Sequence, residues 1–158
     1  MGMKAATIHE LKQELQALPP AQLVTLCLRL ARYKKDNKEL LTYLLFEASS
    51  EQTYIESIKE MIDEGFAALA NDNFYIAMKK LRKVLRTAAK FIRYTGSRQV
   101  EVEVLLHFCA QLKSSGLLQH TSTALANLYA QQQKKINKAI THLHEDLQFD
   151  YQRQAARL

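Results

Sequence analysis

The chain has 158 residues and a formal net charge of +6, from 22 Lys and Arg against 16 Asp and Glu. Hydrophobic residues make up 47% of it, whereas it contains four Gly, two Pro and no Trp. This composition excludes collagen-like, mucin-like and generically disordered chains, and it leaves few turn residues for a β-sandwich or β-barrel. The length suits one domain that buries a core without disulfides or metal ions. We therefore expect a single all-α domain over residues 1–158.

Two features bear on cellular location: the cysteines and the lack of long apolar segments. No apolar run approaches the roughly 18 residues of a transmembrane helix, and no secretory signal pattern opens the chain. Cys27 and Cys109 both lie in apolar helical patterns, which favours buried, reduced thiols. We therefore expect a cytoplasmic protein without membrane contact.

The first third of the chain predicts three helices. Thr7 followed by Glu10 is a capping box that opens the first helix, and a Pro pair ends it. Pro20 suits the first position of the second helix, which reaches about Tyr33. Asn37 is the predicted N-cap of a compact third helix.

The middle of the chain predicts two longer helices. Ser49 or Ser50 caps a fourth helix that runs to about Ala70. A fifth helix covers residues 74–94, and Gly96 fits the left-handed position that commonly follows a helix.

The last third predicts two more helices. Residues 98–113 form a sixth helix although their VEVEV segment alternates like a strand, because LLHFCAQL continues without a turn signal. Thr121 or Ser122 caps a last helix that runs beyond Asp150, with a solvated or loosely packed AQQQKK stretch in its middle. Its end either frays or packs on another copy of the chain.

Helices of similar size joined by short turns predict antiparallel hairpins. Arg32-Tyr33 and Arg93-Tyr94 each end a helix, and a Leu-Leu pair follows about a dozen residues later in both cases. We expect six or seven helices, with an α-α superhelix of the armadillo or HEAT kind favoured over a closed bundle.

The fifth helix carries the clearest candidate site. At 100° per residue, four cations fall within about 40° of Lys79; with Lys79 we call them the basic stripe: Lys79, Lys83, Arg86, Lys90 and Arg93. Tyr75 and Tyr94 border the stripe, and no acidic residue occurs from position 73 to position 100. Like charges at this spacing repel, so the stripe needs a compensating partner.

Two kinds of partner fit the basic stripe. A phosphate backbone or an acidic protein would supply negative charge from outside, with the tyrosines stacking on exposed bases. The alternative is internal, because Glu56, Glu60 and Asp63 form an acidic stripe on the preceding helix. Both possibilities stay open at this point.

Catalytic and metal-binding motifs are missing from the sequence. It has no G-x-S-x-G, phosphate-binding glycine loop, H-E-x-x-H or Cys-x-x-Cys. His107 and Cys109 lie two residues apart on a helix and therefore point in different directions. We expect no enzyme activity, no cofactor and no metal site.

Residues 11–45 (LKQELQALPPAQLVTLCLRLARYKKDNKELLTYLL) pair two Leu-rich helices around a Pro break and end the second in a basic-aromatic cluster. This opening resembles short all-helical bacterial proteins of unknown-function families. The resemblance implies a bacterial, all-helical protein and carries no activity or site residues.

Helical hairpins without a catalytic motif are typical of binding proteins. We expect a non-enzymatic helical interaction or scaffold protein, with a protein partner or self-association through the last helix. The alternative is a nucleic-acid-binding module that uses the basic stripe.

Overall fold

The structure is a computed structural model that describes residues 2–158, and these residues form eight α-helices and no β-strand. The helices are α1 (Ile8–Gln16), α2 (Pro20–Tyr33), α3 (Lys35–Thr42), α4 (Glu51–Ala67), α5 (Phe74–Thr95), α6 (Arg98–Ser114), α7 (Thr123–Ile140) and α8 (Glu145–Ala156). The all-α prediction is confirmed, whereas the expected six or seven helices are too few.

The chain divides into two compact units, one reaching Leu45 and the other covering Phe46–Leu158. The N-terminal unit holds α1, α2 and α3, and the C-terminal unit holds α4 to α8. The division falls within a π-helical turn at Tyr43–Glu47. The single domain expected from the sequence stays a prediction.

Local hydrogen bonds determine where the N-terminal helices begin. The capping box is confirmed: the Thr7 N–H donates to Glu10 Oε2 at 2.7 Å, and the Glu10 N–H donates to Thr7 Oγ1 at 3.2 Å. The predicted N-cap at Asn37 is wrong, because α3 already begins at Lys35. Asn37 instead donates its Nδ2 hydrogen to the Leu30 carbonyl at 2.8 Å and so ties α3 to the end of α2.

The apolar side chains of α1, α2 and α3 remain in contact with water, and Tyr43 just after α3 is the one buried residue of the N-terminal unit within residues 2–45. No residue of α1, α2 or α3 is buried, although α2 and α3 pack on each other. The expectation of two buried thiols is therefore half wrong, since Cys27 is exposed and Cys109 is buried.

α6 is the central helix of the C-terminal unit and contacts α4, α5, α7 and α8. The predicted helix at the VEVEV segment is confirmed. Val100, Val102 and Val104 are all fully buried, and residues two apart on a helix point about 160° from each other. A helix that is apolar on several sides must be covered by neighbours on several sides. The VEVEV segment therefore alternates like a strand because α6 is buried on opposite sides.

The expected single last helix is instead two helices, α7 and α8, separated at residues 141–144. Thr141 Oγ1 donates to the Lys138 carbonyl at 2.6 Å, a local bond that competes with helix continuation. His144 then accepts the Asp146 N–H at 3.3 Å and caps α8. The reversal brings Tyr151 and Leu147 onto the core of the same chain, so this apolar stripe does not protrude for another copy.

α4 and α5 approach each other closely at Gly65 and Val84. A Cβ atom on Gly65 would overlap a γ-methyl group of Val84. Because a β-branched side chain has few alternative rotamers, Val84 has little freedom to move aside. Glycine at position 65 therefore allows α4 and α5 to pack closely.

We expect Gly65→Ala to lower the free energy of unfolding by about 1–3 kcal/mol through overpacking. This loss outweighs the roughly 1 kcal/mol by which Ala favours a helix over Gly. Urea denaturation of G65A, V84A and the double variant measures the coupling, and the double variant should be more stable than the two single changes predict by addition. A G65A protein as stable as the parent would contradict the close approach.

Candidate anion-binding surface

The basic stripe lies on the solvent side of α5 because the opposite side of the helix is buried. The Asn73 side chain accepts the Ile76 N–H at 3.0 Å and starts the helix, and Gly96 ends it at φ 62°, as predicted. The buried side of α5 consists of small and apolar residues: Ala77, Met78, Leu81, Ala88 and Ile92.

Four of the five stripe cations are exposed: Lys79, Lys83, Arg86 and Arg93. Within residues 2–158, none of these four side chains forms an ion pair or a hydrogen bond. Lys90 is half-buried, and its Nζ lies 5.9 Å from the centroid of the Phe91 ring. The structure therefore brings the predicted cations onto one side of α5, with four of them open to solvent.

The two tyrosines beside the stripe differ in environment. Tyr75 is 76% exposed at the start of α5. Tyr94 is half-buried, and its ring lies 6.1 Å from that of Phe91 in an edge-on arrangement. Of the two rings, Tyr75 is the one with a free surface on which a planar ligand can stack.

None of the three acids of the α4 stripe pairs with an exposed cation of the basic stripe, and one of them, Asp63, contacts α6 instead. Asp63 Oδ1 lies 2.6 Å from His107 Nε2 and accepts a hydrogen bond from Gln111 at 2.9 Å. Glu56 lies 3.9 Å from Lys59 of its own helix. Glu60 makes no ion pair among the described residues. The internal alternative is therefore absent for the four exposed cations.

An open cleft of about 390 Å³ lies between α5 and α7, and we call it the α5–α7 cleft. Arg93 of the basic stripe lies at its rim. Lys135 and Lys138 of α7 also line it, and both are exposed. These two lysines were not predicted from the sequence, because the basic stripe was defined on α5 alone. The KKINK segment of α7, which contains no acidic residue, was a signal for a second group of cations.

A partly buried polar network joins α4, α6 and α8. Glu103 accepts hydrogen bonds from Tyr151 Oη at 2.7 Å and from Lys59 Nζ at 3.0 Å, and Gln99 donates to Tyr151 Oη at 3.2 Å. Burial alone would raise the pKa of Glu103, but these hydrogen bonds and the charge of Lys59 hold that pKa below its usual range. Burial, the hydrogen bond to Glu103 and the negative charge of Glu103 raise the pKa of Tyr151 to about 12.

Catalytic and metal-binding arrangements do not assemble in the described residues. Burial raises the pKa of the Cys109 thiol to about 12, so the thiol is protonated at neutral pH. His107 contacts Asp63 on α4 instead of Cys109. No group of three His, Cys, Asp or Glu side chains within residues 2–158 is placed to hold a metal ion.

Comparisons with known proteins give no match to any family model, curated protein sequence or solved structure. The resemblance of the opening to bacterial families therefore stays a prediction. Of the helices in residues 2–158, none combines the length and apolar character needed to span a bilayer.

We expect Tyr151→Phe to lower the free energy of unfolding by about 1–3 kcal/mol, because Glu103 and Gln99 each lose a partner. The folded-state pKa of Tyr151 lies above its unfolded value of 10.0, so the protonated phenol favours the folded state. This stabilisation is complete below pH 10 and is lost as the pH rises toward about 12.

Chemical denaturation across this pH range tests the network. The alkaline loss should be smaller in Y151F than in the parent, whereas Y75F at an exposed ring should change stability by less than about 0.5 kcal/mol. An alkaline loss of the same size in Y151F would show that another group causes it.

Proposed function

We propose that the chain is a non-enzymatic helical interaction protein that self-associates through its N-terminal unit. The observation that carries this proposal is that three consecutive amphipathic helices contain no buried residue. Soluble proteins seldom leave so many apolar side chains in water unless another molecule covers them.

The N-terminal unit exposes large apolar side chains on each of its helices. Eleven of them are more than a third exposed: Ile8, Leu11, Leu15, Val24, Leu26, Leu28, Leu30, Tyr33, Leu40, Leu44 and Leu45. Their exposed fractions add up to about six whole residues. Val24 and Leu28 lie on the side of α2 opposite Leu26 and Leu30, so one interface covers part of this surface.

A second copy of the chain is the occupant that fits this surface. In a two-fold dimer the same patch meets itself, so a patch of one charge sign would repel its partner. The N-terminal unit mixes both signs along its helices, from Glu10 and Lys12 on α1 to Asp36 and Lys38 on α3. Between α2 and α3, an apolar groove of about 200 Å³ lined by Leu30 and other leucines is open to a side chain of the other copy.

We expect the parent protein to be a dimer and Leu30→Asp to be a monomer by light scattering across a concentration series. Leu30 is 61% exposed, so the change should leave thermal unfolding of the C-terminal unit unaltered. Phe149→Asp is the matched control, because Phe149 is 63% exposed on α8, in the other unit.

Cys27 provides a second readout of the same dimer. It lines the groove between α2 and α3, whereas Cys109 is buried and protonated. Thiol labelling of the folded protein should therefore occur at Cys27. The labelling rate should rise on dilution and in L30D, because both changes favour the monomer. A parent protein that is monomeric at every concentration would refute self-association.

A second candidate function, nucleic-acid binding, is favoured by the four exposed stripe cations that lack a partner. Because phosphate binding releases counterions, the affinity should fall with salt, with a log–log slope near about −0.9 for each duplex phosphate neutralised. The accessible Tyr75 ring would add stacking on an unpaired base.

We expect the double change Lys83→Glu and Arg86→Glu to weaken binding of a DNA or RNA oligonucleotide at least tenfold and to flatten the salt dependence by about two phosphate contacts. Fluorescence anisotropy at several salt concentrations measures both effects. The double change Lys4→Glu and Lys12→Glu alters the net charge equally and should leave binding within twofold. Equal losses in the two variants would indicate a response to net charge alone.

Other parts of this proposal rest on the sequence. The superhelical arrangement of the hairpins, the cytoplasmic location and the bacterial origin stay predictions. A protein partner other than a second copy likewise stays a prediction.

A further inference from the structure

The α5–α7 cleft combines a cationic rim with an apolar floor. Arg93 lies on the α5 side of the rim, and Lys135 and Lys138 lie on the α7 side. None of these three side chains is paired with a carboxylate in residues 2–158. Arg98 also lines the cleft and is paired with Glu101, the one carboxylate of the lining, at 3.1 Å. The rim therefore attracts an anion from two sides.

The floor of the cleft is built from the packed faces of α5 and α6. Leu85 and Ile92 of α5 and Leu105 of α6 supply its apolar surface. The volume of about 390 Å³ lies in the range of about 300–1,000 Å³ that is typical of small-molecule sites. A simple inorganic anion would use the rim and leave this apolar floor in water.

Gln132 supplies the one buried polar side chain of the lining. It is 2% exposed, and its Nε2 donates to the Leu128 carbonyl of its own helix at 3.3 Å. Its Oε1 and its second N–H have no partner in the described residues. Oε1 keeps some contact with solvent, because Asp72 Oδ2 is the one fully buried side-chain oxygen or nitrogen of residues 2–158 that lacks a hydrogen bond. A carboxamide offers two donors and one acceptor. Gln132 thus presents an unused donor and acceptor to whatever occupies the cleft.

We infer that the α5–α7 cleft binds a nucleoside phosphate. The phosphate lies among Arg93, Lys135 and Lys138, and the base lies over the apolar floor with one edge on the Gln132 carboxamide. A glutamine carboxamide is complementary to the N6 and N7 edge of adenine, so an adenine nucleotide is the best match. This inference does not depend on self-association, and it assigns a base-reading residue that the basic stripe lacks.

The test is isothermal titration calorimetry of the full chain with AMP and, separately, with inorganic phosphate at near-physiological salt. AMP should bind at least tenfold more tightly than inorganic phosphate, because only AMP contacts the floor and Gln132. Gln132→Leu should reduce AMP affinity at least tenfold and leave the weak binding of inorganic phosphate unchanged.

Thermal unfolding of Gln132→Leu separates a binding role from a structural one. Replacing an incompletely paired, buried carboxamide by an apolar side chain of similar size should leave the unfolding temperature unchanged or higher. A Q132L protein with weaker AMP binding and an unfolding temperature no lower than that of the parent supports the inference. A Q132L protein that binds AMP as tightly as the parent overturns it.

The rim is tested with a matched pair of charge reversals on α7. Lys135→Glu should lower the affinity for both AMP and inorganic phosphate at least tenfold. Lys134→Glu makes the same change one residue away and outside the lining, and at this ionic strength its effect should stay within twofold. Equal losses in both variants, or AMP binding no tighter than inorganic phosphate, would overturn the site.

A short single-stranded adenine oligonucleotide distinguishes the two sources of a nucleoside phosphate. If the nucleotide belongs to a strand, the oligonucleotide binds more tightly than AMP. The charge reversals at Lys83 and Arg86 then weaken binding of the oligonucleotide and leave AMP binding unchanged. If the nucleotide is free, both probes bind equally and the stripe changes affect neither. Either result supports the cleft, and the second one refutes nucleic-acid binding by the stripe.

Discussion

The burial of α6 on several sides is the constraint on which the rest of the C-terminal unit depends. Val102 points to the side of the helix opposite Val100 and Val104, and all three are fully buried. Each such side chain contributes roughly 1.5–3 kcal/mol when it leaves water. Covering all of them requires neighbours around α6, and α4, α5, α7 and α8 are those neighbours. The same alternation places Glu103 between two buried valines, so its carboxylate needs the partners that Lys59 and Tyr151 provide.

The candidate site follows from the same packing. α5 turns its apolar side inward and its basic stripe outward. Because α7 also packs on α6, its lysines stand across from Arg93 over a floor that α6 shares. Of the acidic stripe on α4, Glu56 pairs with Lys59 and Asp63 with His107 of α6, and within residues 2–158 Glu60 has no ion-pair partner. Positive charge therefore gathers in one place, although the whole chain has a net charge of only +6.

Features with local causes were predictable from the sequence. The capping box at Thr7 and the left-handed Gly96 depend on neighbouring residues, and the membership of the basic stripe follows from helical geometry. Features set by tertiary packing were not predictable. Asp63 of α4 contacts His107 of α6 because of the rotation of α4 in the packed unit, and Gln132 is buried although its AQQQKK context suggested solvent. The break before α8 has a local cause in Thr141 and His144, but apolar spacing continues through it and hid the signal.

The two units differ in how they satisfy their apolar residues, and this difference bears on the proposed self-association. The C-terminal unit covers its own core, whereas α1, α2 and α3 keep their apolar side chains in water. Isolated helices shorter than about 12–15 residues are marginal in water, because nucleation is costly and few hydrogen bonds follow it. α1 has 9 residues and α3 has 8, so the capping box of α1 and the packing of α3 on α2 leave them in need of further packing. A second copy would supply that packing, and binding to the folded state stabilises it by mass action. Helix formation in the N-terminal unit and self-association would then be one linked equilibrium, and concentration would set how much of the unit is helical.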